Sequence, residues 1–206
     1  MKSKFIKLWK QINAKSDPII EFNNLNTLYS KKRYYHNLSH IKMCLKELDN
    51  FKKTKDKYDF DLIELAIWYH DIIYDTKDND NEEMSAKYLV KVLKKAKLSN
   101  KLINKTTSLI LSTKHQKTSR KKEERLLQDI DLCIFGQSKK EFDKYENNIR
   151  KEYYWVPLEK YKDGRIKVLL YFLQKSNIYN TDFYRKKYEK KARINLKRSI
   201  KRLEKI

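Results

Sequence analysis

The spacing of apolar and polar positions along this chain predicts helices throughout. Apolar residues recur every three or four positions in most segments, and no stretch shows a clear period of two flanked by turn residues. Two glycines and two prolines are too few for the turns of an all-β or α/β fold. The sequence therefore predicts an all-α protein, with helices over about 3–14, 18–30, 38–53, 59–74, 80–97, 100–115, 122–135 and 138–153, one or two over 157–175, and a last one over 181–205.

Capping residues indicate several of these helix ends. Asp17 stands before a proline and is placed to cap the second helix, because proline is favoured in the first helical turn. Gly136 is expected to end the helix that begins near residue 122. Two pairs have the spacing of a reciprocal cap, in which each residue bonds the backbone of the other: Asp80 with Glu83, and Ser138 with Glu141.

The length of 206 residues suits one domain with a sizeable hydrophobic core. No internal repeat, low-complexity linker or sharp change of composition divides the chain. We therefore expect a single helical bundle, with N-terminal helices over 1–30, a central core over 31–180 and a C-terminal helix over 181–206.

The net charge of +22 suggests a nucleic-acid partner, but its composition argues against one. Only nine of the 49 basic residues are arginine, the side chain that reads base edges and grips phosphates with its planar fork. A lysine-rich solvated surface is the simpler interpretation, and it would still attract small anionic substrates.

The N-terminal residues and the cysteines bear on where the protein works. The segment MKSKFIKLWKQINAK has neither the apolar run nor the cleavage site of a signal peptide, and no apolar run approaches the roughly 20 residues needed to cross a bilayer. Cys44 and Cys133 form no disulfide framework, which favours a reducing compartment. We expect a cytoplasmic protein with no membrane contact.

Imidazole and carboxylate side chains fall at costly positions in three segments. The residues 62–73 are apolar on all sides, so this helix should lie at the centre of the bundle, where a histidine or an aspartate needs a partner. The three sets are His36 and His40 in YHNLSH, His70 and Asp71 in AIWYHDIIYD, and Asp129 and Asp131 in LLQDIDLCIFG. Taken alone, each is compatible with ordinary hydrogen bonding in a core. One divalent metal site would explain all three together.

The order of these motifs resembles that of the HD superfamily of metal-dependent phosphohydrolases, which are all-helical and hold a metal in the core. Over about residues 30 to 200 the chain is similar to one subgroup, the predicted HD-superfamily phosphohydrolases of about 200 residues. The matching segments are RYYHNLSHI, AIWYHDIIYD, DNEEMSA, DIDLCIFG, IRKEY, GRIKVLLYFL, IYNT and EKKARINL.

The resemblance implies a ligand set of His40, His70, Asp71 and Asp131 for one divalent ion. Nitrogen and oxygen ligands suit Mn, Fe, Co, Ni and Zn alike, so the sequence does not choose among these metals. It also implies that His36 protonates the leaving group, since YHNLSH is similar to the cyclic-nucleotide phosphodiesterase segment. The choice of Asp131 follows from the similarity of IDL to the last HD motif. Asp129 would then orient a ligand histidine.

Further residues are candidates for proton transfer and for binding phosphate. The carboxylates that could take a proton from water are Asp75, Glu82 and Glu83, and the side chains that could hold phosphate oxygens are Lys114, His115 and Arg165. For the last three, a surface or capping role is as compatible with the sequence. Tyr74 replaces the glutamate of alarmone-hydrolysing relatives, which argues against that activity.

The expected function is hydrolysis of a phosphate ester or anhydride, with a nucleotide or similar small phosphorylated molecule as substrate. Two alternatives use the basic surface: a nucleic-acid-binding module, which would need clustered arginines or exposed aromatic residues, and a nuclease. The sequence shows neither feature clearly, so we rank both below hydrolysis of a small nucleotide.

Overall fold

A computed structural model describes residues 1–31 and 33–205, which form ten α-helices and one 3-10 helix. No β-strand occurs in these described ranges, and the all-α prediction is confirmed. The helices are α1 (Lys2–Gln11), α2 (Pro18–Tyr29), α3 (Leu38–Lys52), α4 (Phe60–Tyr69), α5 (Asn81–Lys95), α6 (Asn100–Ser112), α7 (Lys122–Asp131), α8 (Lys139–Glu152), α9 (Leu158–Gln174) and α10 (Asp182–Leu203), with the 3-10 helix Leu132–Gly136 after α7.

Two compact units make up the chain, an N-terminal unit of residues 1–128 and a C-terminal unit of residues 129–206. In the N-terminal unit α4 is the central helix, because α1, α3, α5 and α6 all pack against it. Every residue from Leu62 to His70 is buried, as the apolar surround of this segment predicts. The C-terminal unit is built on α10, which packs against the 3-10 helix, α8 and α9.

Two predicted helices end four or five residues before their expected ends. The helix predicted over 59–74 ends at Tyr69. The carbonyls of Ile67 and Trp68, which would accept the next helical N–H groups, instead bond the His70 ring and the Tyr29 hydroxyl. The helix predicted over 122–135 ends as an α-helix at Asp131, and the next five residues form the tighter 3-10 helix. Gly136 is the last residue of that 3-10 helix, so its position as a terminator is confirmed.

The capping predictions have mixed outcomes. Asp17 accepts hydrogen bonds from the backbone N–H groups of Ile19 and Ile20, and Ser138 and Glu141 form the reciprocal cap of α8. Both predictions are confirmed.

The cap predicted for Asp80 and Glu83 is wrong. Asp80 precedes α5 but makes no capping bond with its side chain. Glu83 instead pairs with Lys114, whose Nζ lies 2.5 Å from its Oε1. The carboxylate that the reciprocal cap would use is therefore bound to a lysine in the turn after α6.

None of the helices in the described part of the chain is long and apolar enough to cross a membrane.

The two glycines provide a matched test of packing in the C-terminal unit. A Cβ at Gly136 would lie 2.4 Å from the Cβ of Tyr188, which α10 holds in place, whereas a Cβ at Gly164 in α9 meets nothing within 4 Å. We expect Gly136→Ala to lower the free energy of unfolding by about 1–3 kcal/mol or more. Gly164→Ala should raise it by about 0.5–1 kcal/mol, because alanine favours a helix interior. Urea unfolding followed by circular dichroism measures both, and equal effects would contradict the packing described here.

Candidate metal centre

His40 and His70 bring two imidazole nitrogens together inside the N-terminal unit. The side chain of Asn37 accepts a hydrogen bond from Ser39 N–H and starts α3 at Leu38, so His40 lies in the first turn of that helix. His70 is the residue after α4. The Nε2 atoms of the two histidines are 3.1 Å apart, and both side chains are buried.

The orientation of His70 is set by its other ring nitrogen. Nδ1 lies 2.9 Å from the carbonyl oxygen of Ile67, one turn earlier in α4. A carbonyl oxygen only accepts, so in this geometry Nδ1 carries the proton. In the neutral ring, Nε2 then presents a lone pair toward His40, which is the tautomer that binds a metal.

The carboxylate of Asp71 faces both histidines. Its Oδ2 lies 3.2 Å from Nε2 of His70 and 3.5 Å from Nε2 of His40. Burial raises the pKa of Asp71. When the His70 ring is protonated, its charge and its hydrogen bond, together with the charges of His36 and His40, outweigh burial and hold this pKa well below its usual range. Asp71 is therefore an anion at neutral pH.

Asp131 is the last residue of α7 and is half-buried. One ligand atom from each of His40, His70 and Asp131 lies within 4.8 Å of the others, and this His/His/Asp group could hold a metal ion. Imidazole nitrogen with carboxylate oxygen is a donor set that suits Mn, Fe, Co, Ni and Zn. The buried donors therefore fit the divalent ion that the sequence predicts.

Asp129, two residues before Asp131, serves the C-terminal unit. Its Oδ1 accepts from Asn180 N–H, and its Oδ2 accepts from the N–H and the hydroxyl of Thr181, all within 2.7 Å. Thr181 is the N-cap of α10, so Asp129 positions the start of that helix. Burial raises the pKa of Asp129 to about 6 despite these bonds. They are bonds to α10 rather than to a histidine, and the predicted role of orienting a ligand stays a prediction.

Two residues that hold the turn after α4 were not predicted from the sequence. Arg33 donates from Nη1 to the carbonyl of Asp71 at 2.7 Å and from Nη2 to the carbonyl of Ile72 at 3.0 Å. Ser85 of α5 donates to the carbonyl of Ile73 and accepts from its N–H, both at 3.1 Å. The sequence held one signal for the first of these two residues. It is one of only nine arginines in the chain, and it stands directly before the segment YYHNLSH.

His36 stands just before α3 rather than in it, and so does not share a helical face with His40 as the four-residue spacing would allow. Its ring stacks on Tyr74, with centroids 3.8 Å apart and planes at 23°. The centroid of His40 lies 6.2 Å away. His36 therefore lies beside the His/His/Asp group, and its ring is held there by the stacking contact.

The three candidate bases differ in their surroundings. Asp75 is exposed, and its Oδ1 accepts from Lys77 N–H, which shapes the loop before α5. Glu83 is bound to Lys114, as described above. Glu82 is half-buried; burial raises its pKa, and the negative charge of Asp71 raises it further. The proton affinity of Glu82 therefore responds to the charge of the candidate centre.

The residues predicted to hold phosphate lie in different places. Lys114 is half-buried, and His115 follows it with a φ of 55°. Arg165 is buried in the C-terminal unit, where it donates to both oxygens of Glu146 and to the hydroxyl of Tyr145. The charge of Arg165 is thus matched by a buried carboxylate, an arrangement that serves packing of α8 and α9.

A cavity of about 620 Å³ lies beside Lys114 in the N-terminal unit. The amide of Gln128 donates to the carbonyls of Ser112 and Lys117 and so fixes the loop that forms its wall. Polar and basic side chains line it, among them Ser112, Lys114, Gln116, Lys117, Thr118, Ser119 and Arg120.

No protein-family model, curated protein or solved structure matches the chain. The resemblance to the HD superfamily therefore rests on the motifs and on the His/His/Asp group.

Removing either histidine should abolish metal binding. We expect His40→Ala and His70→Ala each to weaken Co²⁺ or Mn²⁺ affinity by more than about 100-fold, because each deletes a donor atom. His115→Ala is the matched control and should bind as the wild type does. Elemental analysis after dialysis and calorimetric titration give the stoichiometry and affinity, and wild-type metal content in both histidine variants would disprove the site.

The two aspartates at the end of α7 should separate metal binding from stability. Asp131→Asn is expected to lower metal affinity, since it removes an anionic donor. Asp129→Asn should keep the metal but cost about 1–3 kcal/mol of stability, because an amide NH₂ would face the donors of Thr181. Metal titration and thermal unfolding of both variants make the comparison, and the reverse result would assign the ligand to Asp129.

Proposed function

We propose that this protein is a metal-dependent phosphohydrolase of the HD superfamily, acting on a nucleotide or a similar small phosphate ester or anhydride. The observation that carries the proposal is the pair of buried imidazole nitrogens 3.1 Å apart, with the Oδ2 of Asp71 within 3.5 Å of each. Burying such a cluster in an apolar core costs free energy, so its presence points to a bound ion or a catalytic role.

The residues that would hold the ion are His40, His70, Asp71 and Asp131. A divalent ion in such a site lowers the pKa of water and polarises the phosphorus–oxygen bond. The proton on Nδ1 of His70, directed at Ile67, keeps Nε2 available as a donor. Arg33 and Ser85 keep the turn that carries Asp71 in one conformation.

Proton transfer falls to two side chains beside this group. Glu82 is the proposed general base, since a raised pKa brings a carboxylate closer to the working pH. His36 is the proposed general acid for the leaving oxygen, and its stacking on Tyr74 fixes the ring. Both residues interact electrostatically with Asp71, which supports their placement near the reacting groups.

The cavity beside Lys114 is an argument for a phosphorylated substrate. Its volume of about 620 Å³ is in the range of small-molecule sites. Lys114 acts on the charge of Glu82 and is bound to Glu83, so this wall lies within electrostatic reach of the proposed base. Cations and hydroxyl groups are the donors that phosphate oxygens require.

Glu82→Gln should lower kcat by roughly 10²–10⁴, the usual contribution of a general base. The assay is phosphate release from a panel of nucleoside mono-, di- and triphosphates with added Mn²⁺. Because a base must be ionised, wild-type activity should rise with pH through the raised pKa of Glu82, above the ordinary glutamate value of about 4.3. This acidic limb should be absent in the variant.

Glu83→Gln is the matched control for this assay, because it makes the same change one residue away and its pKa is lowered by Lys114. We expect a smaller loss and an unchanged acidic limb. A Glu82→Gln protein with wild-type kcat would remove Glu82 from the reaction, and metal-loaded protein without turnover on any nucleotide would refute the hydrolase proposal.

A further inference from the structure

The exposed face of α8 in the C-terminal unit carries a line of lysines. Lys140, Lys144, Asn147 and Lys151 are exposed at intervals of three or four residues, so they share one side of the helix. With Lys139, Asp143 and Asn148 they enclose a shallow surface groove of about 700 Å³. We call this surface the α8 groove.

Three of the lysines that line the α8 groove have no carboxylate partner in the described part of the chain. Lys139, Lys140 and Lys144 take part in no ion pair within residues 1–31 and 33–205. The carboxylate of this groove, Asp143, is bound at Oδ1 by two arginines of α10, at 2.6 Å by Arg198 and at 3.4 Å by Arg202. The groove is therefore a cationic surface, because the charge of its carboxylate is already neutralised by the arginines of α10.

Most arginines of this chain bond groups of the protein itself. Seven of the nine arginines donate hydrogen bonds to groups of the protein itself, namely Arg33, Arg150, Arg165, Arg185, Arg193, Arg198 and Arg202. The α8 groove is left to lysine, which attracts a phosphate chain as a point charge without reading its sequence.

Two exposed aromatic side chains follow α8 directly. Tyr154 is 78% exposed and Trp155 is 43% exposed. The other two tryptophans, Trp9 and Trp68, are buried in the N-terminal unit. Aromatic rings at the end of a lysine track are the combination that binds unpaired bases by stacking while cations follow the backbone.

The geometry does not suit a membrane. A helix that lies on a bilayer inserts an apolar face beside its basic one. In α8 that apolar face is formed by Phe142, Tyr145 and Ile149, and all three are buried inside the C-terminal unit.

We propose that the α8 groove binds single-stranded nucleic acid, with its lysines on the phosphates and with Tyr154 and Trp155 stacked on bases. Lys140 and Lys144 are one helical turn apart, a rise of about 6 Å, so each can meet a different phosphate. The amides of Asn147 and Asn148 add donors and acceptors between them. This surface is independent of the hydrolase proposal, since no residue of the His/His/Asp group takes part.

The test measures binding of a fluorescein-labelled 20-nucleotide oligouridylate, with EDTA present so that no metal-dependent cleavage occurs. Lys140→Gln/Lys144→Gln should weaken binding and reduce the slope of log affinity against log salt by about 1.4, the value for two lost phosphate contacts on a single strand. The matched control is Lys91→Gln/Lys94→Gln on α5, which removes the same charge from exposed positions elsewhere.

The aromatic residues separate stacking from general attraction. Tyr154→Ala/Trp155→Ala should weaken oligouridylate binding roughly tenfold. It should leave binding of a duplex of the same length unchanged, because duplex bases are already stacked. Quenching of Trp155 fluorescence on addition of the oligonucleotide, lost in Trp155→Phe, would report the stacked ring directly.

Three results would overturn the proposal. Equal losses in the α8 and α5 lysine variants would show attraction by net charge alone. Unchanged single-strand affinity in the aromatic variant would remove the stacking. Binding to vesicles containing 30% phosphatidylserine, lost in Lys140→Gln/Lys144→Gln without oligonucleotide binding, would assign the groove to a lipid surface instead.

Discussion

His40 and His70 hold two imidazole nitrogens 3.1 Å apart inside an apolar core, and much of the N-terminal unit is arranged around that contact. Desolvating these rings is costly, so they need a carboxylate, fixed tautomers and a rigid backbone. Asp71 supplies the carboxylate and Ile67 the acceptor that sets one tautomer.

Helix positions were accessible from the sequence because apolar spacing and caps are local signals. Ser138 and Glu141 act within one turn, and their cap forms as predicted. The errors came from contacts between distant segments. Lys114 pairs with Glu83 at the start of α5, and Arg33 and Ser85 hold the turn that stands where α4 was predicted to continue. The local spacing of apolar residues and caps does not predict such partners, because they come from distant parts of the sequence.

The candidate site was partly accessible for a different reason. Histidines and aspartates in apolar segments are rare enough to be noticed, and His40, His70 and Asp131 meet as their chemistry suggested. Their supporting residues are ordinary side chains whose positions depend on the fold. Arg165 shows the reverse case: a basic residue suited to phosphate in sequence proves to be neutralised by Glu146. Exposed aromatic residues, missing from the sequence argument for nucleic acid, were visible only once the burial of each tyrosine and tryptophan was known.

The division of labour between the two basic residue types bears on how freely this chain can change. Arg150, Arg193 and Arg198 bond acceptors within the C-terminal unit, so their replacement would disturb its packing. Most of the surplus charge sits instead on exposed lysines such as Lys186, Lys190, Lys197 and Lys201 of α10. Codon drift or deliberate redesign could therefore move the isoelectric point, now about 9.7, over a wide range while the packed interior stayed the same. Substitutions at exposed lysines should therefore change the solubility of this protein without changing its fold.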